Sequence, residues 1–525
     1  MLIFMLLLFI IFIDTICGDS YSYIINSSCE YKTEGSFINP VLADDIDNDG
    51  LPEIIAGSSN GIVYNFKYMN CDTYWHAQWE FKAADDDITV IKVVDFDKDG
   101  KKDLVIGSLD KLRYLLIVGY DMSPKWKSRD YLDSINTLDV SDLDNDGRND
   151  VILGSKNGRI YILKNIESKL GVKLEIKNKI ELDNPVYYVK VSDLDNDGKN
   201  EIIALTNEQN RIGKIYAFDN NCRKKWEYTI DRGIYQANKY SINIYDIDND
   251  KNKEIIFGTY NNGLIILDSN GSLISNYRIN NPISAIKVSD LDNDGEADII
   301  FNSYPSLYVI DKDSNLKWKK NINSAVLSIE TSDLDNEGLK EIVTGNVKSI
   351  QIFDSSGDEI GKWVHVVRNR QREINARTIA INDFDGDDLN EIASGFGWEE
   401  GRLGYNYNFG ELHMFEINKK FIAEITTTTT TTTTSLSTIT IKTTTTTSLT
   451  TTTEKREMGI QNMLLFIAGI MGLFFIIILI ALIIVIIVKW RSEKKEKRIK
   501  RIKELLVKWD IEKPKTKRTK RKRKK

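Results

Sequence analysis

Eight times along this chain an acidic residue stands at the first, third, fifth and ninth place of a short loop, and an apolar run follows. The loops start at Asp45, Asp95, Asp142, Asp193, Asp246, Asp290, Asp333 and Asp383, at intervals of 43 to 53 residues. DLDNDGKNEII, from Asp193 to Ile203, shows the form. Alternating carboxylates on a tight turn converge on one point, and a glycine lets the backbone bend around it. Oxygen ligands cage a hard divalent cation such as Ca²⁺ in this way. A single acidic loop could be a solvated turn, because Asp, Asn and Gly are common turn formers. Thirty-two acids in register are not explained by that.

The candidate metal ligands are Asp45, Asp47, Asp49 and Glu53 in loop 1, and Asp95, Asp97, Asp99 and Asp103 in loop 2. Loop 3 supplies Asp142, Asp144, Asp146 and Asp150, and loop 4 supplies Asp193, Asp195, Asp197 and Glu201. Loop 5 has Asp246, Asp248, Asp250 and Glu254, and loop 6 has Asp290, Asp292, Asp294 and Asp298. Loop 7 carries Asp333, Asp335, Glu337 and Glu341, and loop 8 carries Asp383, Asp385, Asp387 and Glu391.

A period of this size predicts a propeller or a solenoid. Each loop follows an alternating run such as YYVKVSD and precedes an apolar run such as EIIAGS or DVILGS, both strand-length and β-branched. A third run often ends in Asp (GKIYAFD, GLIILD), and a fourth often carries an aromatic: Trp79, Trp126, Trp226, Trp318 or Trp363. Four short antiparallel strands in roughly 48 residues make one propeller blade. The expected fold is an all-β propeller of eight four-stranded blades over residues 20–422, with seven blades as the alternative count. The aromatics are expected in the packing between blades. SSCEYKTEG, ahead of the first loop, is similar to the fourth-strand segment NCRKKWEYTI and is expected to complete the last blade. Such closure removes open sheet edges.

In an EF-hand the twelfth loop residue is Glu and the flanks are helices. Here the twelfth residue is Ala56, Ile106, Leu153 or Ala204 in the first four loops, and the flanks are strands. The D-x-D-x-D-G-x-x-D/E loop followed by an apolar strand instead resembles the FG-GAP/VCBS-type repeat, which builds the β-propeller at the head of integrin α chains. The resemblance covers about 380 residues. It implies loops between the first two strands of each blade, each holding one structural Ca²⁺, up to eight in all. The implied ligands are acids one, three, five and nine and the carbonyl of residue seven. Three loops depart from the pattern: Lys251 and Asp388 replace the glycine, and Glu337 replaces the third Asp. Those three are expected to bind weakly or not at all. The GAP half of the family signature is missing, so integrin-like ligand recognition does not carry over.

The segments flanking the repeats suggest a route to the cell surface. Residues 1–18 begin MLIFMLLLFIIFI and read as a signal peptide, although without a basic n-region, which leaves an uncleaved anchor as the alternative. Residues 423–462 include a Thr tract expected to form an O-glycosylated stalk of roughly 80–90 Å. Residues 463–488 form an uninterrupted apolar run long enough to span a bilayer. The tail, 489–525, holds 20 Lys/Arg against five Asp/Glu, which leaves about −22 of the formal −7 on everything before it. Positive residues stay inside, so the C-terminus is expected to be cytoplasmic and the repeats outside, on the plasma membrane. The tail suits anionic lipid rather than nucleic acid. Of four cysteines, Cys17 falls in the signal peptide; a Cys29–Cys71 bridge and buried free thiols, Cys222 included, are both open. Asn26 and Asn270 fit N-x-S glycosylation acceptors.

This layout favours a calcium-binding surface receptor or adhesin for a protein or glycan, and a structural part of the cell envelope is the alternative. A quinoprotein- or lyase-like ectoenzyme is disfavoured. The chain has only three histidines (His76, His365, His413), and no motif pairs a nucleophile with a base. The irregular segments 231–240, 364–377 and the stretch from Gly395 break the repeat and are the expected places for specificity.

Overall fold

The computed structural model describes residues 21–33, 38–67, 77–109, 115–128, 132–166, 171–207, 212–231, 242–365, 375–399 and 408–421. Every regular element among them is a β-strand, 32 in all. The expected signal peptide, Thr-rich stalk, apolar span and basic tail lie outside these residues, as do most of segments 231–240 and 364–377. Among the described residues no helix is long and apolar enough to cross a membrane.

The strands form eight four-stranded antiparallel blades, so the count of eight holds and seven does not. Blade 4 is representative, with strands Val186–Ser192, Glu201–Asn207, Ile212–Phe218 and Lys224–Asp231 in that order. The second strand is buried along almost its whole length in every blade. Neighbouring blades cover both of its faces, which is why it reads as a continuous apolar run rather than an alternating one. The fourth strands alternate, as in Leu316–Asn321, because one face meets solvent.

Eight apolar clusters hold the blades together, and each lies between two consecutive blades. Glycine in the second strand permits the approach. A Cβ on Gly258 would lie 2.4 Å from Ile283 Cγ2 of the next blade. The fourth-strand tryptophans pack against these clusters, as expected. Trp226 and Trp318 also donate Nε1–H to the next blade, at Ser269 O (2.9 Å) and Ser355 O (2.8 Å).

The ring closes as the sequence predicts. The N-terminal strand Tyr21–Thr33 is the outer strand of the last blade. It pairs antiparallel with Asn408–Phe421 from Tyr21↔Phe421 to Thr33↔Gly410. It also meets Glu359–Val364 of blade 7 in parallel at Tyr23↔Gly361, which joins blades 7 and 8 in one eight-stranded sheet. Cys29 of this strand, Ile38 and Tyr64 of blade 1 and Leu412 of blade 8 share the cluster that seals first blade to last. Cys29 is disulfide-bonded, to a residue outside those described, and Cys222 is a free thiol.

Candidate metal centres

All eight acidic loops join the first strand of a blade to the second. The ninth residue of each loop is the first residue of that second strand: Glu53, Asp103, Asp150, Glu201, Glu254, Asp298, Glu341 and Glu391. This position buries the ninth carboxyl, which is at most 5% exposed in all eight loops. The second loop residue is a buried Ile, Leu or Phe that belongs to an inter-blade cluster, Ile46 and Leu194 for example. In seven loops its backbone N–H donates to the ninth carboxylate, at 2.8 to 3.4 Å. The apolar residue at place two is visible in every copy of the motif, but acid spacing alone does not reveal its role as the loop's anchor.

The rest of the loop wraps its first carboxylate. The N–H of residue six donates to the first acid in every loop. Where the fifth acid is Asp, it accepts the N–H of residue seven, as Asp197 does from Lys199 at 2.8 Å. Residues four and six both adopt positive φ, for example Asn196 at 55° and Gly198 at 81°. Loop 8 places its glycine at four (Gly386) and Asp388 at six, and loop 5 has Lys251 at six. Both substitutes keep the turn: Lys251 N and Asp388 N still donate to Asp246 (3.0 Å) and Asp383 (2.9 Å). A Cβ on Gly50, Gly198 or Gly295 would meet nothing within 4 Å, so a side chain there costs only the left-handed backbone, about 1 kcal/mol. Loss of the glycine therefore leaves the loop geometry of repeats 5 and 8 intact.

Asparagine at place four has a second task that spacing does not show. Asn48 Nδ2 donates to Gly100 O (3.3 Å) and Asn249 Nδ2 to Gly295 O (3.0 Å), each in the next blade's loop. Asn145 bonds Gly198 O and Asn336 bonds Asp388 O in the same way. Asparagine thus ties the loops of blades 1 and 2, 3 and 4, 5 and 6, and 7 and 8, and Lys98 Nζ, also at place four, ties loop 2 to loop 3 through Gly147 O.

Of the predicted ligands, the first, third and ninth acids come together. In loops 1 to 4 one carboxylate oxygen from each lies within 4.8 Å of the others. Several oxygens of the first and third acids are buried and accept no hydrogen bond: Asp47 Oδ1, Asp144 Oδ1, Asp193 Oδ1 and Asp195 Oδ1 in these loops, and Asp246 Oδ1 in loop 5. A buried carboxylate oxygen without a donor is costly, and a hard cation is a suitable partner for several such oxygens at once. The donor set therefore fits Ca²⁺.

Among the described residues, an ammonium also reaches loops 1, 2, 3, 4 and 6. Lys67 reaches Asp47 (3.3 Å), Asp49 and Glu53 (3.1 Å), and Lys125 reaches Asp97 (2.7 Å), Asp99 (3.0 Å) and Asp103 (2.8 Å). Lys164 and Lys177 both meet Asp144. Lys225 pairs with Asp195 (2.7 Å) and Glu201 (3.0 Å), and Lys317 with Asp292 (3.2 Å) and Asp298 (2.7 Å). Lys125, Lys177, Lys225 and Lys317 occupy the same register on their outer strands, where blades 5 and 8 have Ile274 and Ser28. Among the described residues, no ammonium pairs with loop 5 or loop 8. There burial, with the neighbouring aspartates adding to it, pushes Glu254 and Glu391 up to about 7. Burial also raises Glu53, Asp103, Glu201 and Asp298, but their lysines pull the other way.

Residues 45–106 and 142–204, which hold the first four loops, match the FG-GAP-like repeat family. The chain carries FG-GAP-like repeats on an eight-bladed propeller. No curated protein matches it in sequence. Among solved structures, this FG-GAP-repeat propeller is similar to Saccharomyces cerevisiae Sqt1, with a TM-score of 0.55 and 9% identity over 74% of this chain and 98% of that one. It is similar also to Chaetomium thermophilum Sqt1 bound to the N-terminus of ribosomal protein L10, with a TM-score of 0.52 and 11% identity over 74% of this chain and 100% of that one. At such identities the likeness is one of fold.

Proposed function

We propose that this protein is a calcium-binding propeller, anchored in the plasma membrane by residues 463–488, that recognises a protein or glycan outside the cell. The observation that carries the calcium half is the convergence of acids one, three and nine on a single point, with buried oxygens that accept no hydrogen bond. When bound, the ion would neutralise carboxylates that otherwise repel one another. The chain's own residues do the rest: the buried second residue anchors each loop, and the backbone N–H groups of residues two and six orient the ninth and first acids.

The recognition half is supported by architecture. A closed ring of blades is a rigid platform, and loops held on such a scaffold are where binding surfaces concentrate. A Sqt1 propeller of the same fold is bound to the N-terminus of a ribosomal protein, so this fold accommodates peptide partners. The proposed role is binding rather than catalysis. Two measurements test the reading. Calorimetric titration of the metal-stripped protein should give several calcium equivalents, and their absence would remove the calcium half. A pull-down from surface extracts should retain a discrete partner with calcium and release it with chelator; recovery of bulk wall material would favour the structural alternative.

A further inference from the structure

Two of the three histidines, far apart in sequence, meet at the seam of blades 7 and 8. His365 directly follows the strand Glu359–Val364, and its backbone N–H is held by Lys348 O at 2.9 Å. Glu411 and His413 lie two apart on Asn408–Phe421 and so share one face of that strand. Glu411 Oε2 is 2.8 Å from His365 Nε2 and 3.1 Å from His413 Nε2. One donor atom from each of the three lies within 4.8 Å of the others. Their side chains are 14%, 17% and 3% exposed. Trp363 and Phe396 wall the site, with ring centroids 5.2 and 5.1 Å from that of His413.

His413 is held from its far side: Ser27 Oγ lies 2.9 Å from Nδ1 and 3.3 Å from Cys29 O. With Ser27 on Nδ1, the other ring nitrogen, Nε2, faces the Glu411 carboxylate, as His365 Nε2 does. A metal ion can replace the protons shared between the two rings and the carboxylate and bind all three donors at once. Lys32 approaches the other carboxylate oxygen, Oε1, at 3.9 Å and leaves Oε2 to the histidines. His365 has no second anchor, because its Nδ1 is buried without a hydrogen-bond partner.

We propose that His365, Glu411 and His413 bind one divalent transition-metal ion, zinc foremost, clamping blade 7 to blade 8 beside the closing N-terminal strand. Two imidazole nitrogens and one carboxylate oxygen suit zinc, unlike the all-oxygen loops, and three protein ligands leave a fourth position open. Ser27 is a positioning residue that orients His413 through its Nδ1.

The full-length chain, stripped of metal and then saturated with calcium to occupy the oxygen loops, is titrated with zinc chloride and separately with cobalt chloride. The wild type should take up one tight equivalent of zinc and show cobalt ligand-field absorption. His365→Gln and Glu411→Gln should each abolish the tight equivalent and the cobalt bands. Ser27→Ala should weaken binding about 10- to 100-fold, the usual effect of losing the hydrogen bond that orients a ligating histidine. His365 is the least buried histidine position of the site, so His365→Gln tests the ligands with little risk to folding, and its thermal melt in chelator should match wild type. No zinc uptake by the wild type, or the same affinity in wild type and His365→Gln/Glu411→Gln, would overturn the proposal.

Discussion

Removing one negative charge from loop 5 should have opposite effects with and without calcium. Glu254 is 3% exposed, no ammonium pairs with its loop among the described residues, and its carboxyl is pushed from 4.5 up to about 7. A carboxyl raised in the folded state holds its proton more tightly there than in the unfolded chain. Its cost to stability is therefore absent below about pH 4.5, grows up to about pH 7, and is full above that. Taken at face value the shift corresponds to about 3.4 kcal/mol at pH 8. Burial causes most of the shift, and a loop rimmed by exposed aspartates is wetter than a dry interior, which reduces the figure to about 1–2 kcal/mol. Glu254→Gln keeps an acceptor for Ile247 N–H and removes the charge. In chelator at pH 8 it should stabilise the protein by that amount. With an unfolding entropy of roughly 2 cal/mol/K per residue over about 400 residues, the melting temperature rises by about 1–2 °C. In calcium the same substitution removes a ligand and should lower it. Glu53→Gln is the contrast: burial raises its carboxyl too, but Lys67 at 3.1 Å offsets part of the cost, so in chelator it should stabilise less than Glu254→Gln does. Differential scanning calorimetry of both variants in chelator and in calcium decides the matter. A shift of one sign in both buffers for Glu254→Gln would refute the reasoning.

The remaining expectations are simpler. Calcium should raise the wild-type melting temperature, since a ligand that binds only the folded state at 100 times its Kd contributes about 2.7 kcal/mol per site; superimposable melts with and without chelator would contradict this. Gly258→Val drives a side chain into Ile283 of the next blade and should cost about 1–3 kcal/mol in urea unfolding, with no change in calcium stoichiometry. Deleting residues 21–33 exposes the edges of Asn408–Phe421 and Glu359–Val364, and should yield aggregated protein by light scattering where the intact chain is monodisperse.

What sequence made legible, and what it did not, follows the range of the interactions. The blades and the ninth acids could be placed because the loop, its flanking strands and the period are local and repeated. Closure by Tyr21–Thr33 was legible for the same reason, since SSCEYKTEG is a copy of a fourth strand separated from its blade by the length of the ring. The lysines were not. Lys125, Lys225 and Lys317 stand beside Trp126, Trp226 and Trp318 in plain view. Their reach into the loops nevertheless depends on outer-strand register, which bulges shift. Nothing local in the sequence joins His365 and His413; only the pairing of the last two blades brings both onto Glu411.

The lysines also change what the acidic loops mean. On composition alone the part of the chain before residue 489 carries about −22, and eight divalent ions would bring it to about −6. That arithmetic treats the loops as equal, and they are not. Where Lys67, Lys125, Lys225 or Lys317 reaches both the third and the ninth acid, the ammonium stands among the same carboxylates that a calcium ion would need. A calcium ion bound there would have to displace it, and the ammonium would hold the loop in the ion's absence. Loops 5 and 8 have no such reserve among the described residues, so their dependence on a metal ion would be greater, although their motifs depart furthest from the glycine pattern. Under the proposed function, motif quality and metal dependence would thus run in opposite directions, because the first is written within the loop and the second is set by the strand that packs beside it.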